Sequence, residues 1–253
     1  MKIEVLFTPA DFGALAGRDL AGTTCVVFDI LRATSTIVTA LAHGAQAVVP
    51  VADIAEALAL HRQRPALLLG GERGGRRIGG DLTGGGEFDL GNSPREYTPE
   101  RVGGRTIVST TTNGTRALRA CAPAQTVLAA GFLNLGATAH WLEAHPSDSL
   151  LLVCSGTHEE AAWEDTLAAG ALWDRLRHHR AGADAGDSVY FAHQLYLGAR
   201  ADLLGSMRFS RNGRRLLAIP ELAEDVALCL QTDRHDLVTV LGPAGELRPA
   251  PGR

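Results

Sequence analysis

Short apolar runs alternate with amphipathic stretches of helical length along most of this chain. Residues 25–30 form a β-branched apolar run that predicts a strand, and residues 34–42 predict a helix closed by Gly44. A strand over 47–51 and a helix over 54–61 follow, then a third strand over 66–69. That strand opens into a long polar loop, which leads to a short helix over 94–101. Further strands are predicted over 106–109, 126–130 and 150–154, succeeded by a helix beginning near Thr115, one over 137–144 and a long one over 160–179. Such β-loop-α alternation predicts an α/β fold, a mostly parallel β-sheet flanked by helices in a three-layer α/β/α arrangement, with room for two lobes. The last third reads as a helix over 189–204, a helix start at 212–217, an amphipathic stretch over 222–230 and a final edge strand over 237–241. The expected organisation is a single α/β domain over 1–242 and a Pro/Gly-rich, frayed tail over 243–253.

In open α/β sheets ligands bind beyond the carboxyl ends of the strands. Four of the predicted strands end in dense polar clusters, which points to one shared site. The first cluster holds Asp29, Arg32, Thr34 and Ser35; a hydroxyl-capped helix start beside an arginine suits an anion, although the same residues would also serve to fix a turn. The second is the loop over 70–96, GGERGGRRIGGDLTGGGEFDLGNSPRE, with Glu72, Arg73, Arg76, Asp89 and Asn92. Loops beyond ~12–15 residues in a compact domain are usually functional or disordered. At its exit Ser93, Pro94 and Glu96 have the spacing of a capping box, which gives Ser93 and Glu96 structural work. The third cluster offers hydroxyl and amide donors from Thr111, Thr112 and Asn113, ahead of another helix; its structural alternative is an Asn-Gly turn. The fourth begins with Ser155-Gly156-Thr157 and runs to Glu164-Asp165, where an inward carboxylate and a solvated helix face are equally open readings.

Composition narrows the ligand. At 45% hydrophobic and 21% charged residues over 253 positions, the chain is globular rather than disordered. A net charge of −4 and 5% aromatic residues give neither the basic field nor the stacking platforms of a nucleic-acid binder. Lys2 is the single lysine, so an anion must be held by arginine forks, backbone N–H groups and hydroxyls. The four cysteines lack metal or redox spacing and read as buried free thiols, and the nine histidines form no ligand set. The N-terminal residues do not read as a signal peptide and no apolar run nears ~18 residues, so a cytoplasmic protein without a membrane partner is expected, its oligomeric state left open to a homo-oligomer.

Several phosphatase chemistries are excluded. Six residues after Cys154 stands Glu160, and six after Cys25 stands Leu31, so no Cys-x5-Arg loop exists; Asp29 is followed by Ile30 and Leu31, not by Asp-x-Asp; no Walker lysine is present. Metal-assisted hydrolysis remains, with Asp29, Glu72 and Asp89 as hard oxygen ligands for Mg²⁺.

Phe28-Asp29-Ile30-Leu31-Arg32-Ala33-Thr34-Ser35, Gly70-Gly71-Glu72-Arg73, Phe88-Asp89-Leu90-Gly91-Asn92-Ser93-Pro94 and Thr110-Thr111-Thr112-Asn113-Gly114-Thr115-Arg116 together resemble the 2-phosphosulfolactate phosphatase family. Cys154-Ser155-Gly156, Glu164-Asp165, Gly213-Arg214-Arg215-Leu216 and Asp225 extend the resemblance, which runs in order over 5–241. It implies an α/β enzyme that hydrolyses (R)-2-phospho-3-sulfolactate to sulfolactate and phosphate with Mg²⁺ as cofactor, a step of coenzyme M biosynthesis in methanogens. On this reading the metal set is Asp29, Glu72 and Asp89. Arg32 and Asn113 act on the phosphate together with Thr34, Ser35, Asn92, Thr111, Thr112 and Ser155, and Arg73 or Arg76 meets the sulfonate or carboxylate. Both a metal-bound water and Asp29 itself stand as nucleophiles. The segment over 78–87 is longer and richer in glycine than the family pattern and is expected beside the site, where it would accommodate another small phosphorylated hydroxy acid. A non-catalytic anion-binding module on the same fold is the reading from another class.

Overall fold

The computed structural model describes residues 1–179 and 182–251. Its strands are β1 (Lys2–Leu6), β2 (Thr23–Phe28), β3 (Ala47–Pro50), β4 (Leu68–Arg73), β5 (Arg76–Arg77), β6 (Thr106–Thr110), β7 (Thr126–Ala130), β8 (Ser149–Cys154), β9 (Asp184–Ala185), β10 (Thr239–Leu241) and β11 (Leu247–Pro249). They form one sheet in the order β5-β4-β6-β3-β11-β10-β7-β2-β8-β1-β9. The order contains two parallel blocks, β4-β6-β3 and β7-β2-β8-β1-β9. Between them the β10–β11 hairpin pairs antiparallel with β7 on one side and β3 on the other. The fold is α/β, with a large and mostly parallel sheet flanked by helices.

Every residue of β2 is buried, as expected of a parallel strand covered on both faces. Its side chains alternate between two cores: Val26 and Phe28 pack in one with Leu152 and Leu167, while Cys25 and Val27 pack in the other with Ile37 and Leu118. All four cysteines are buried free thiols. A third, smaller core under β4 and β6 takes in Leu69, Val108, Ile78 and Phe88. The glycine-rich segment expected beside the site is anchored there instead, with the Phe88 N–H donating to the Ile78 carbonyl at 3.0 Å.

Two expectations change. The frayed tail after residue 242 is instead folded back as β11, Leu247 is fully buried, and the Ala250 N–H donates to the Val238 carbonyl at 2.7 Å. The edge strand over 237–241 is β10, in the interior of the sheet, because its hairpin partner is what bridges the two parallel blocks. The N-terminal residues form β1 between β8 and β9. Leu247→Ala should therefore lower stability by about 2–4 kcal/mol, since it opens a cavity at the seam between the blocks. Urea denaturation measures it, and a change below about 0.5 kcal/mol would mean the hairpin does not couple them.

Candidate active site

The two parallel blocks run in opposite senses, yet loops at the carboxyl ends of both line one cleft. Asp29 and Arg32 follow β2, Glu72 is the penultimate residue of β4 ahead of Gly74 and Gly75, Thr112 and Asn113 follow β6, and Gly156 to His158 follow β8. Asn92, Glu164, Asp165 and Asn212 complete the wall with Arg215.

Asp29 sits where two helices begin. Its Oδ1 accepts from the Ala33 N–H at 2.9 Å, and among the described residues nothing donates to Oδ2. A Cβ on Gly114 would stand 2.7 Å from Oδ2 and 2.6 Å from the Ala33 Cβ, so only glycine lets the Gly114–Cys121 helix start this close. Loss of hydration raises the Asp29 carboxyl to about 7; the Ala33 N–H opposes this, and the charges of Glu72 and Glu164 add to it.

Glu164 and Asp165 both point inward from the first turn of the Trp163–Leu176 helix and are about 2% exposed. Asp165 accepts from the Ile30 N–H at 2.8 Å and the Gly156 N–H at 3.1 Å, tying the loops after β2 and β8. Glu164 accepts from the Ser210 hydroxyl at 2.6 Å. Burial raises both carboxyls, that of Asp165 well above the usual range, with Asp29 and Glu164 adding repulsion. The signal for this was in the sequence: the helix that follows is apolar all round, so carboxylates in its first turn must enter the interior with it.

Glu72 joins the loops after β4 and β6. One oxygen accepts from the Gly75 N–H at 2.7 Å, the other from the Thr112 N–H and hydroxyl at 2.9 and 2.8 Å. Gly71 makes that approach possible: its φ is +143° and a Cβ would fall 2.1 Å from the Thr110 carbonyl oxygen. Arg32 is 3% exposed, donating to Asp225 at 2.6 Å and to the Gly75 carbonyl at 2.6 Å. Asp225, fully buried, also accepts from Ser93 Oγ at 2.7 Å and Arg95 Nε at 2.8 Å. The capping box is therefore not formed: Ser93 is drawn to Asp225, and Glu96 accepts from the Gly91 N–H at 2.9 Å.

Asn113 is 4% exposed and donates through Nδ2 to the Ser155 and His158 carbonyls at 3.0 and 2.8 Å. Two carbonyl acceptors require the amide nitrogen on that side, so among the described residues Asn113 has an unpaired acceptor, Oδ1, rather than the donor a phosphate needs. The Ser155 hydroxyl is likewise buried without a partner among the described residues.

Other expected ligands are occupied or distant. Thr34 Oγ1 donates to the Asp29 carbonyl at 2.9 Å, Ser35 Oγ to the Ile30 carbonyl at 2.9 Å, and Thr111 Oγ1 accepts from the Thr115 N–H at 3.2 Å, all local turn closures. Arg73 donates to Thr110 Oγ1 at 3.0 Å along the sheet. Arg76 lies outside the cleft in a neighbouring depression with Arg77 and Glu221. Asp89 is exposed, accepts from the Leu69 N–H at 2.8 Å and does not line the cleft. Asp29, Glu72 and Asp89 thus do not come together, because Asp89 supports β4 from outside. No residue of 78–87 lines the cleft.

Among the described residues, no group of three or more His, Cys, Asp or Glu side chains is placed to hold a metal by itself. Mg²⁺ needs fewer, since it takes one or two carboxylates and keeps water and substrate oxygens. The uncommitted Asp29 Oδ2, the unpaired Asn113 Oδ1 and a surplus of buried carboxylates fit a hard cation of this kind.

The fold is that of an α/β protein whose cleft gathers buried carboxylates and arginine beyond its strand ends. A sequence model of 2-phosphosulpholactate phosphatase matches residues 14–243. A protein of Caldanaerobacter subterraneus subsp. tengcongensis is 38% identical over 240 residues, 93% of this chain and 95% of its own length. One of Synechococcus sp. strain JA-3-3Ab is 44% identical over 84% of this chain and 86% of its own, and one of Picosynechococcus sp. is 35% identical over 98% of each. All three carry the name "Probable 2-phosphosulfolactate phosphatase". The chain belongs to the 2-phosphosulpholactate phosphatase family and is a phosphoric monoester hydrolase. No helix among the described residues is long and apolar enough to cross a membrane.

Proposed function

We propose that this enzyme hydrolyses 2-phosphosulfolactate to sulfolactate and inorganic phosphate in the cytoplasm, with Mg²⁺ as cofactor. The names of the relatives support the substrate. The observation that carries the chemistry is Asp29, a carboxyl at the cleft held near neutrality with one oxygen uncommitted. A group with its pKa near the working pH both takes and returns a proton efficiently. A water oxygen forms the new bond to phosphorus while Asp29 accepts its proton; the phosphorus–oxygen bond to C2 breaks, and the proton passes to the leaving alkoxide. Arg32 lends positive field from the cleft wall, its direction set by Asp225. Glu72 and the Asn113 Oδ1 acceptor, both lining the cleft, would hold Mg²⁺, which when bound offsets the charge of the phosphate.

Phosphate release from 2-phosphosulfolactate, 2-phospholactate and 3-phosphoglycerate, each with Mg²⁺ and with EDTA, tests this. The sulfonated ester should be preferred, and EDTA should lower its turnover by at least about 100-fold. Full activity in EDTA would remove the metal from the proposal. Equal turnover of all three esters would remove the substrate.

A further inference from the structure

Two guanidinium groups reach the cleft, and they differ in kind. Arg32 is buried and paired with Asp225 at 2.6 Å. Arg215, exposed on the Arg211–Leu217 helix, makes no ion pair among the described residues. Its Nη2 donates to Asn212 Oδ1 at 2.8 Å, and Asn212 in turn donates to the Leu31 carbonyl, which ties Arg215 to the loop that carries Arg32. On its other side lies Gly75, φ +81°, where a Cβ would stand 3.4 Å from the same Nη2. The fork is thus held at the rim while most of its donors remain available. Facing it are four carboxylates, Asp29, Glu72, Glu164 and Asp165. Among the described residues Arg215 is the guanidinium of this cleft that no carboxylate pairs, so its charge is the one an incoming anion meets uncompensated.

We propose that Arg215 is the specificity-determining residue of this enzyme and binds the sulfonate of the substrate; the proposal rests on the phosphosulfolactate reading above. The substrate carries three acidic groups of different hardness. The phosphate must lie by Asp29, where its ester bond is broken. The carboxylate, attached to the same carbon as the phosphate ester, can share a hard cation with it. The sulfonate spreads one charge over three oxygens and is the weakest metal ligand of the three, so it is left to an organic cation. An arginine fork meets such oxygens with paired N–H donors. Arg73 and Arg76, the arginines expected in this role, are tied to Thr110 or placed outside the cleft.

Arg215→Met keeps the volume and removes the charge. Arg214→Met serves as the control, since Arg214 is the neighbouring exposed arginine, bonded to the Arg208 carbonyl at 2.7 Å and absent from the cleft lining. Arg215→Met should lower kcat/KM for 2-phosphosulfolactate by about 10- to 100-fold, the loss expected for a charged hydrogen bond. It should change kcat/KM for 2-phospholactate, which has a methyl group in place of the sulfomethyl group, by less than about 3-fold. Arg215→Lys should recover part of the loss, and Arg214→Met should alter neither substrate. An equal loss on both esters would assign Arg215 to the phosphate or carboxylate and overturn the proposal, as would no loss on either. Calorimetric titration of sulfolactate into wild type and Arg215→Met separates this from the broader reading. Should wild type hydrolyse neither ester, the function is wrong and binding decides: sulfolactate held by wild type and lost in Arg215→Met sustains the site, and no binding to wild type overturns it.

Discussion

Asp29→Asn is expected to lower phosphate release by about 10²–10⁴-fold and, in the same variant, to raise stability at neutral pH. Both effects come from one carboxyl. Its pKa moves from 3.8 in the open chain to about 7 in the folded one, chiefly through lost hydration. Below about pH 4 the group is protonated in both states and has no effect on stability. Between about pH 4 and 7 the unfolded chain has released the proton and the folded chain retains it, so stability falls as pH rises; above 7 the penalty is constant. Asparagine carries no such proton. Because one edge of Asp29 is open to the cleft, water screens part of the full shift, and a gain on the order of 1–3 kcal/mol is expected at pH 8. Urea denaturation of both proteins in EDTA at pH 4, 6 and 8 should show a gap that widens with pH. A gap independent of pH would mean the carboxyl is not held neutral, and wild-type turnover would remove Asp29 from the mechanism.

Asp225→Ala should be the most destabilising single change near the site, at about 3–5 kcal/mol. Asp225 is wholly buried and, among the described residues, is the sole carboxylate paired with Arg32, which is itself 3% exposed. Removing the anion leaves a guanidinium charge in the interior with one carbonyl partner, and the Ser93 hydroxyl loses its acceptor. Arg95→Ala should cost less than about 1 kcal/mol, because Arg95 is 38% exposed and its charge is met by water. Activity should fall with Asp225→Ala as well, since the carboxylate directs Arg32 toward the cleft. Denaturation midpoints of the two variants give the comparison. A loss below 1 kcal/mol for Asp225→Ala would show that Arg32 finds another counter-charge.

The strand-loop-helix alternation was legible because a parallel strand buried on both faces is apolar at nearly every position, as β2 is. The β10–β11 hairpin was not, because Pro and Gly near Leu247 look like tail chemistry, and only the seam between β3 and β7 gives that leucine something to bury against. At the site, Asp29, Glu72, Asn92, Thr112, Asn113 and Arg32 were legible as polar residues just beyond strand ends, and all six line the cleft. Thr34, Ser35 and Thr111 have the same signature but close their own turns, a choice between ligand and backbone that residue type does not encode.

The α/β class, the strand ends rich in polar residues, the free thiols and the need for arginine where lysine is absent were all written into the chain. Apolar periodicity and turn residues act over a few positions, and each of these follows from local pattern. Tertiary structure alone decided which charges share a space. It buried Glu164 and Asp165, spent Arg32 on Asp225 across 193 positions, set Asp89 outside and brought Arg215 to the rim. A charge's neighbours set its hydration and its proton, and those neighbours come from segments far apart in the chain.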